Sequence, residues 1–186
     1  MSYKELYLCI EELLAKKERV SVAIDGGAGS GKTTLASMLA ERYGASVIHM
    51  DDFFLRPQQR TAERLAEPGG NFDRERMLSE VMPHLSRKED FSYQMFDCSL
   101  MQLGAYTTVP ASSLVIVEGS YSHHPMLRDF YDLRIFLSIS EEKQRERILK
   151  RNGTRSEMFF SRWIPMENAY FDAFSVKRKA DLVISV

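Results

Sequence analysis

Long apolar runs are missing from this chain of 186 residues. No stretch approaches the roughly 18–20 residues that a membrane-crossing helix needs. Excess charge is missing too. The formal net charge is −1, so bulk charge does not recruit a polyanion, and any basic site must be local. Cysteine is scarce. Cys9 and Cys98 stand far apart and outside metal-ligand spacing, which argues against a disulfide and fits a reducing cytoplasm. Cys9 falls in a helical pattern and is expected in the core. Repeats and low-complexity tracts are absent. Met1-Ser2-Tyr3-Lys4-Glu5 begins a charged amphipathic helix rather than a leader peptide.

What is there reads as one globular domain, with 44% hydrophobic and 27% charged residues. Leu6, Ile10, Leu13 and Leu14 recur at helical spacing within 3–18. Val20 to Ile24 is a β-branched run and predicts a strand. Lys32 to Tyr43 predicts a helix with Leu35, Met38, Leu39 and Arg42 on its stripe and Gly44 as its stop. Val47 to Met50 predicts a second strand ending at Asp51. Residues 55–112 leave this rhythm, with polar loops, a helix over 74–86 and a hairpin from Phe91–Asp97 and Ala105–Val109. A substrate-binding insertion or a plain surface elaboration would both look like this. Strands at Leu114–Gly119, Leu133–Ile139 and Asp181–Val186 follow, with a helix over 141–152 capped by Ser140. The aromatic stripe Phe159, Phe160, Trp163, Tyr170, Phe171 and Phe174 is assigned to the core. Strands alternating with helices predict a parallel sheet covered on both faces.

Gly26-Gly27-Ala28-Gly29-Ser30-Gly31-Lys32-Thr33 has the spacing of a phosphate-cradling P-loop, G-x-x-x-x-G-K-[ST]. Glycines let backbone N–H groups turn inward around phosphate oxygens. The following helix, whose first turn holds Lys32, Thr33 and Thr34, aims its positive end at the same place. Lys32 suits the β- and γ-phosphates, and the Thr33 hydroxyl suits Mg²⁺. The loop follows a predicted strand and precedes a predicted helix, which is the setting it needs. No N-K-x-D or T-K-x-D guanine reader and no D-x-x-G switch follows, which argues against a GTPase switch and leaves a small phosphotransferase.

Phosphoryl transfer to a hydroxyl needs a phosphate cradle, a metal, a carboxylate near the acceptor oxygen and cations for the moving group. Ligands bind beyond the carboxyl ends of parallel strands. Asp25, Asp51 with Asp52, and Glu118 stand at such ends. Asp25 is expected to support the loop. Asp51 is expected to face an acceptor, although loop capping would place it similarly, and Asp52 should point to the opposite face of the strand. Glu118 is expected at Mg²⁺. Lys143, Arg145, Arg147, Lys150, Arg151 and Arg155 make the helix over 141–152 and its exit basic. Lys143, Arg147 and Arg151 share one face, as a polyphosphate lid or a solvated face would require.

Together these segments resemble the uridine kinase-like group of P-loop kinases, which includes phosphoribulokinase and bacterial pantothenate kinase. The resemblance runs from Val20 almost to the end. It is carried by Ile24-Asp25-Gly26 with the loop, Met50-Asp51-Asp52-Phe53-Phe54, Gly70-Asn71-Phe72-Asp73, Phe96-Asp97, Val117-Glu118-Gly119, Leu127 to Phe136, the Arg-rich helix and Ala180 to Ile184. It implies an α/β three-layer sandwich with a five-stranded parallel sheet in the order 2-3-1-4-5. It implies Asp51 as base, Asp73 on ribose hydroxyls, Glu118 at Mg²⁺, and Arg147 and Arg151 in a lid over 141–160. Asp52, Phe96 and Asp97 fall in the acceptor region. Uridine kinases carry Asp-Ser-Phe-Tyr where this chain has Asp51-Asp52-Phe53-Phe54. They also carry a histidine near the segment Phe96 to Met101, which has none here.

The expectation is an ATP- and Mg²⁺-dependent kinase for a hydroxyl of a small metabolite, a nucleoside or another ribosyl compound. The rival class is a nucleotide-binding regulator without turnover. Neither nucleic acid nor membrane is expected as a partner, and self-association is left open.

Overall fold

The computed structural model describes residues 3–186, so Met1 and Ser2 of the expected first helix lie outside the described residues. Helix α1, Tyr3–Leu14, buries Leu6 and Ile10. It stops four residues short of the expected 18. Strand β1, Val20–Gly26, is buried along its whole length and leads into the glycine loop. Helix α2, Lys32–Tyr43, begins after Gly31 in the left-handed region, φ 94°. It ends at Gly44, φ 63°, whose N–H returns to the Ala40 carbonyl. Its buried stripe is Leu35, Ala36 and Leu39, while Met38, expected inside, is exposed.

The other sheet strands are β2 (Ser46–His49), β5 (Leu114–Glu118), β6 (Leu133–Ser138) and β7 (Leu182–Ser185). All pairings are parallel, in the order β2-β5-β1-β6-β7. Numbered among themselves in chain order, these five strands run 2-3-1-4-5, as the resemblance implies. Successive side chains serve opposite faces. Val22, Ile24, Leu114, Ile116, Ile135 and Leu137 pack with α1 and α2. Ala23, Val115, Val117 and Phe136 pack with Phe53, Phe72, Tyr93 and Tyr170 on the other side. Burial on both faces explains why these strands read as continuous apolar runs.

One boundary moves a candidate residue. Strand β2 ends at His49, not at Asp51, because its partner β5 ends at Glu118, the residue opposite His49. Gly119, φ 137°, then turns the partner chain away. Met50–Phe53 therefore closes into a 3₁₀ turn, and strand alternation no longer governs Asp51 and Asp52.

Residues 55–112 hold α3 (Ala62–Ala66), α4 (Arg74–Glu80) and the antiparallel hairpin β3 (Phe91–Asp97) with β4 (Gln102–Val109). The helix expected over 74–86 breaks into α4 and a 3₁₀ turn, Met82–His84. Pro83 disfavours the helical conformation in the residue before it. Helix α5, Glu141–Asn152, is capped by the Ser140 hydroxyl, which accepts from the Lys143 N–H. A π-helical turn, Phe159–Trp163, precedes α6 (Ile164–Phe174), and α7 (Val176–Lys179) leads to β7. Among the described residues no helix is long and apolar enough to cross a membrane.

His124 lies buried between the rings of Phe72, Tyr170 and Phe174. Burial, aided by the Arg74 and Arg64 charges, lowers its pKa from 6.5 to about 4. The unfolded chain therefore binds the extra proton between those values. The stability conferred by neutral His124 is complete above about 6.5 and is lost as pH falls toward about 4. Denaturant titrations across this window should give a shallower acid-side decline for His124→Leu than for the parent chain. Coincident slopes would show that His124 does not titrate this way.

Candidate functional site

The glycine loop closes over its own lysine. Lys32 Nζ donates to the carbonyls of Gly26 at 2.7 Å and Gly27 at 3.2 Å. Gly26 has φ 146°, and a Cβ there would strike the Leu137 carbonyl, so no other residue fits. Beneath the loop Asp25 is fully buried. It accepts from the Gly26 N–H at 2.7 Å, the His123 N–H at 3.0 Å and the Tyr170 hydroxyl at 2.9 Å.

A cavity of about 370 Å³ opens at the carboxyl edge of the sheet, lined among others by Lys32, Thr33, Asp51, Glu118, Arg151 and Trp163. The Thr33 hydroxyl donates to Glu118 Oε1 at 3.1 Å, and His49 Nδ1 lies 2.6 Å from the same oxygen. That contact holds the His49 pKa above its ordinary value. Asp51 is shifted upward by burial first and by the Glu118 charge second, while Lys32 and His49 oppose the shift. The walls also include four aromatic residues, Phe54, Phe72, Tyr121 and Phe159. A second depression of about 450 Å³ lies against Gly29 to Leu35, Tyr3 and Val186. Arg147 reaches it and donates to the Gly29 carbonyl at 3.1 Å, and Arg151 borders both spaces.

The structure thus brings Ala28, Gly29, Lys32, Thr33, Asp51, Glu118 and Arg151 to one cavity. Ser30, Gly31, Thr34 and Arg147 face the second depression. Four candidates have other partners. Asp52 accepts from the Tyr93 hydroxyl at 2.7 Å. Asp73 is fully buried and caps α4, accepting from the Arg76 N–H at 3.1 Å and from Gln59 Nε2 at 2.9 Å. Phe96 is buried edge-on to Phe54. Asp97 accepts from the N–H groups of Ser99 and Leu100 and closes the hairpin turn.

No family model matches the chain. A Schizosaccharomyces pombe protein provisionally named a uridine kinase is 29% identical over 174 residues, covering 81% of this chain and 74% of its own. The uridine kinase of Chlamydia pneumoniae is 28% identical over 181 residues, with 88% and 80% covered. The fold superimposes on a possible uridine kinase from Bacillus stearothermophilus with a TM-score of 0.70 at 21% identity, covering 97% of this chain and 99% of that one. The chain resembles uridine kinases in sequence and in fold.

Within this uridine kinase-like frame, the sequence pattern missed several residues at the cavity. Glu167 on α6 is 7% exposed. Its Oε2 accepts from the Ala28 N–H of the loop at 2.8 Å, and its Oε1 accepts from the Ser120 hydroxyl at 2.6 Å. Burial raises its pKa. Phe159 and Trp163, assigned to the core from sequence, form cavity wall and are only half-buried. Spacing held the signal: 159, 163 and 167 follow one another at i, i+4 and i+8, so the stripe ends in a carboxylate. His49 gave no such signal, since only the pairing of β2 with β5 sets it beside Glu118. Cys9, expected in the core, is half-buried at its margin.

Removing one donor from Asp25 tests how tightly the loop is tied down. Tyr170→Phe keeps the ring in its aromatic cluster and leaves a fully buried carboxylate one hydrogen bond short. It should cost about 1–3 kcal/mol of unfolding free energy by denaturant titration. A loss below about 0.5 kcal/mol would show that Asp25 does not depend on this bond.

Proposed function

We propose that the protein is an ATP-dependent kinase that phosphorylates a hydroxyl of a small metabolite, with a nucleoside or another ribosyl compound as the acceptor class. The observation that carries this reading is the convergence of Lys32, Thr33, Glu118 and Asp51 on one cavity that also has aromatic walls. Similarity to uridine kinases supports the general class of kinase.

Residues 55–112 form the acceptor-binding insertion of a single kinase domain, and 141–160 form its lid. The nucleotide lies across Gly26 to Thr34, its base in the depression beside Tyr3 and Val186. Mg²⁺ would supply charge neutralisation between the phosphates. Thr33 and Glu118 offer the hard oxygen donors it favours. Among the described residues no cluster of three or more His, Cys, Asp or Glu side chains could hold a metal. That fits an ion held by one or two protein groups together with substrate phosphates. Asp51 accepts the acceptor's proton or orients its hydroxyl in line with the phosphoryl group. A carboxylate of raised pKa is the better proton acceptor, as Brønsted behaviour requires. Arg147 and Arg151 stabilise charge on the transferring group.

The aromatic walls suit a planar ring, or the apolar face of a sugar, on the acceptor side. Asp52, Asp73, Phe96 and Asp97 keep their place in the proposed acceptor region. Their present hydrogen bonds and packing must yield for any of them to touch a ligand.

Incubation with Mg-ATP and a panel of nucleosides, ribosyl compounds and other hydroxyl metabolites tests the assignment. ADP release that depends on one acceptor is expected. Binding of ATP without turnover across the panel would point instead to a regulator. Lys32→Ala should abolish turnover and weaken ATP binding, because it removes fixed charge where negative charge gathers. Asp51→Asn should retain ATP binding and lose about 10²–10⁴-fold in single-turnover rate. A larger loss for Asp52→Asn would move the role to the neighbouring aspartate. Arg147→Ala and Arg151→Ala should lower kcat more than they raise the KM for ATP. Unchanged kcat in both would return these arginines to a solvated face.

A further inference from the structure

Glu167 stands where a phosphate loop would be expected to keep an N–H for its ligand. Ala28 belongs to the loop and lines the cavity, yet its N–H donates to this carboxylate at 2.8 Å. The second carboxylate oxygen takes the Ser120 hydroxyl at 2.6 Å. Ser120 follows the turn at Gly119 and lines the same cavity. Glu167 is 7% exposed, so solvent screens it poorly, and its charge and that of Lys32 act on each other. Its helix is fastened to the loop a second time through Tyr170 and Asp25. The carboxylate is therefore fixed in place, not a side chain that has drifted into an open space.

We propose that Glu167 is a built-in anion of the phosphate loop, a positioning residue that holds the Ala28 peptide, weakens ground-state binding of the donor and steers its terminal phosphoryl group toward Asp51. Two consequences follow from one charge. A carboxylate beside Lys32 takes a share of the field that would otherwise act on a polyphosphate, so removing it strengthens donor binding. The same carboxylate repels phosphoryl oxygens from the Ala28 side of the cavity. Oxygens turned away from Ala28 face Lys32, Thr33 and the carboxylates beyond them, which is the side where the acceptor hydroxyl is placed. Ser120 fixes the rotamer of Glu167 and so sets the direction of that repulsion. Weaker binding with faster transfer is the pattern expected when interactions favour the transition state over the ground state.

The steering half rests on the kinase assignment, and the affinity half does not. Mg-ATP binding by isothermal titration and acceptor turnover should be measured for the parent chain, Glu167→Gln and Glu167→Ala, with thermal unfolding of each. Glu167→Gln keeps the volume and one hydrogen-bond acceptor and loses the charge. The expected result is a Kd for Mg-ATP lowered about threefold or more, with kcat lowered about tenfold or more. Ser120→Ala should lower kcat by a smaller factor. A Kd unchanged or raised in Glu167→Gln overturns the proposal, and so does a lowered Kd with kcat within about twofold of the parent. A merely structural role would lower the unfolding temperature and weaken binding together, which also overturns it. If the parent chain turns over no acceptor, the kinase assignment falls. The titration then decides for Glu167 alone: a lowered Kd supports the built-in anion and an unchanged one removes it.

Discussion

Asp25 is a carboxylate with no exposure to water, and burial of such a charge is costly unless every lone pair finds a donor. Its three donors come from three separate parts of the chain. Gly26 belongs to the glycine loop, His123 to the segment after β5, and Tyr170 to α6. Satisfying one buried charge therefore fixes the loop against the turn that follows Glu118 and against the helix that carries Glu167. The cavity is the space left between those three elements. Side chains that touch each other across it, such as Thr33 with Glu118 and Ser120 with Glu167, do so because Asp25 has already set their backbones.

The sheet supplies the second constraint. β2 and β5 end together, His49 opposite Glu118, and Gly119 releases the partner chain. The chain after His49 has no strand to pair with and coils at once. That coil, and not a strand, presents Asp51 to the cavity and gives Asp52 to Tyr93. The two aspartates do separate as the sequence suggested, but by a different geometry.

The strands, the glycine loop, the hairpin and the capped helices were legible in the sequence because each rests on local chemistry, whereas the sheet order followed only from the family resemblance. Apolar runs mark strands buried on two faces, a Gly at a left-handed position ends α2, and Ser140 caps α5. Residues whose partners are distant in sequence were not legible. Asp73 matched a family motif, yet Gln59 and the N–H of Arg76 claim its carboxylate. Asp97 is used up by the turn it begins. Glu167 sits 139 residues from Ala28, and nothing local links them. The aromatic stripe was visible, but hydrophobicity alone does not distinguish a core face from a cavity wall, and Trp163 is on the wall.

Three carboxylates, Asp51, Glu118 and Glu167, border one cavity, and one lysine lies among them. Like charges at such range disfavour one another's ionisation, and Asp51 already shows it: Glu118 ranks second only to burial in raising its pKa. Adding a polyphosphate would deepen the repulsion, so the proposed reaction requires a cation beyond Lys32. Thr33 and Glu118 would hold a divalent ion that meets that need, and its charge would also act on Asp51. With Glu118 neutralised, the second-largest of the influences that raise the Asp51 pKa would be removed, which favours the ionised form of Asp51. In the proposed reaction, metal binding and ionisation of Asp51 are thus coupled through the same Glu118 that closes the β2–β5 register.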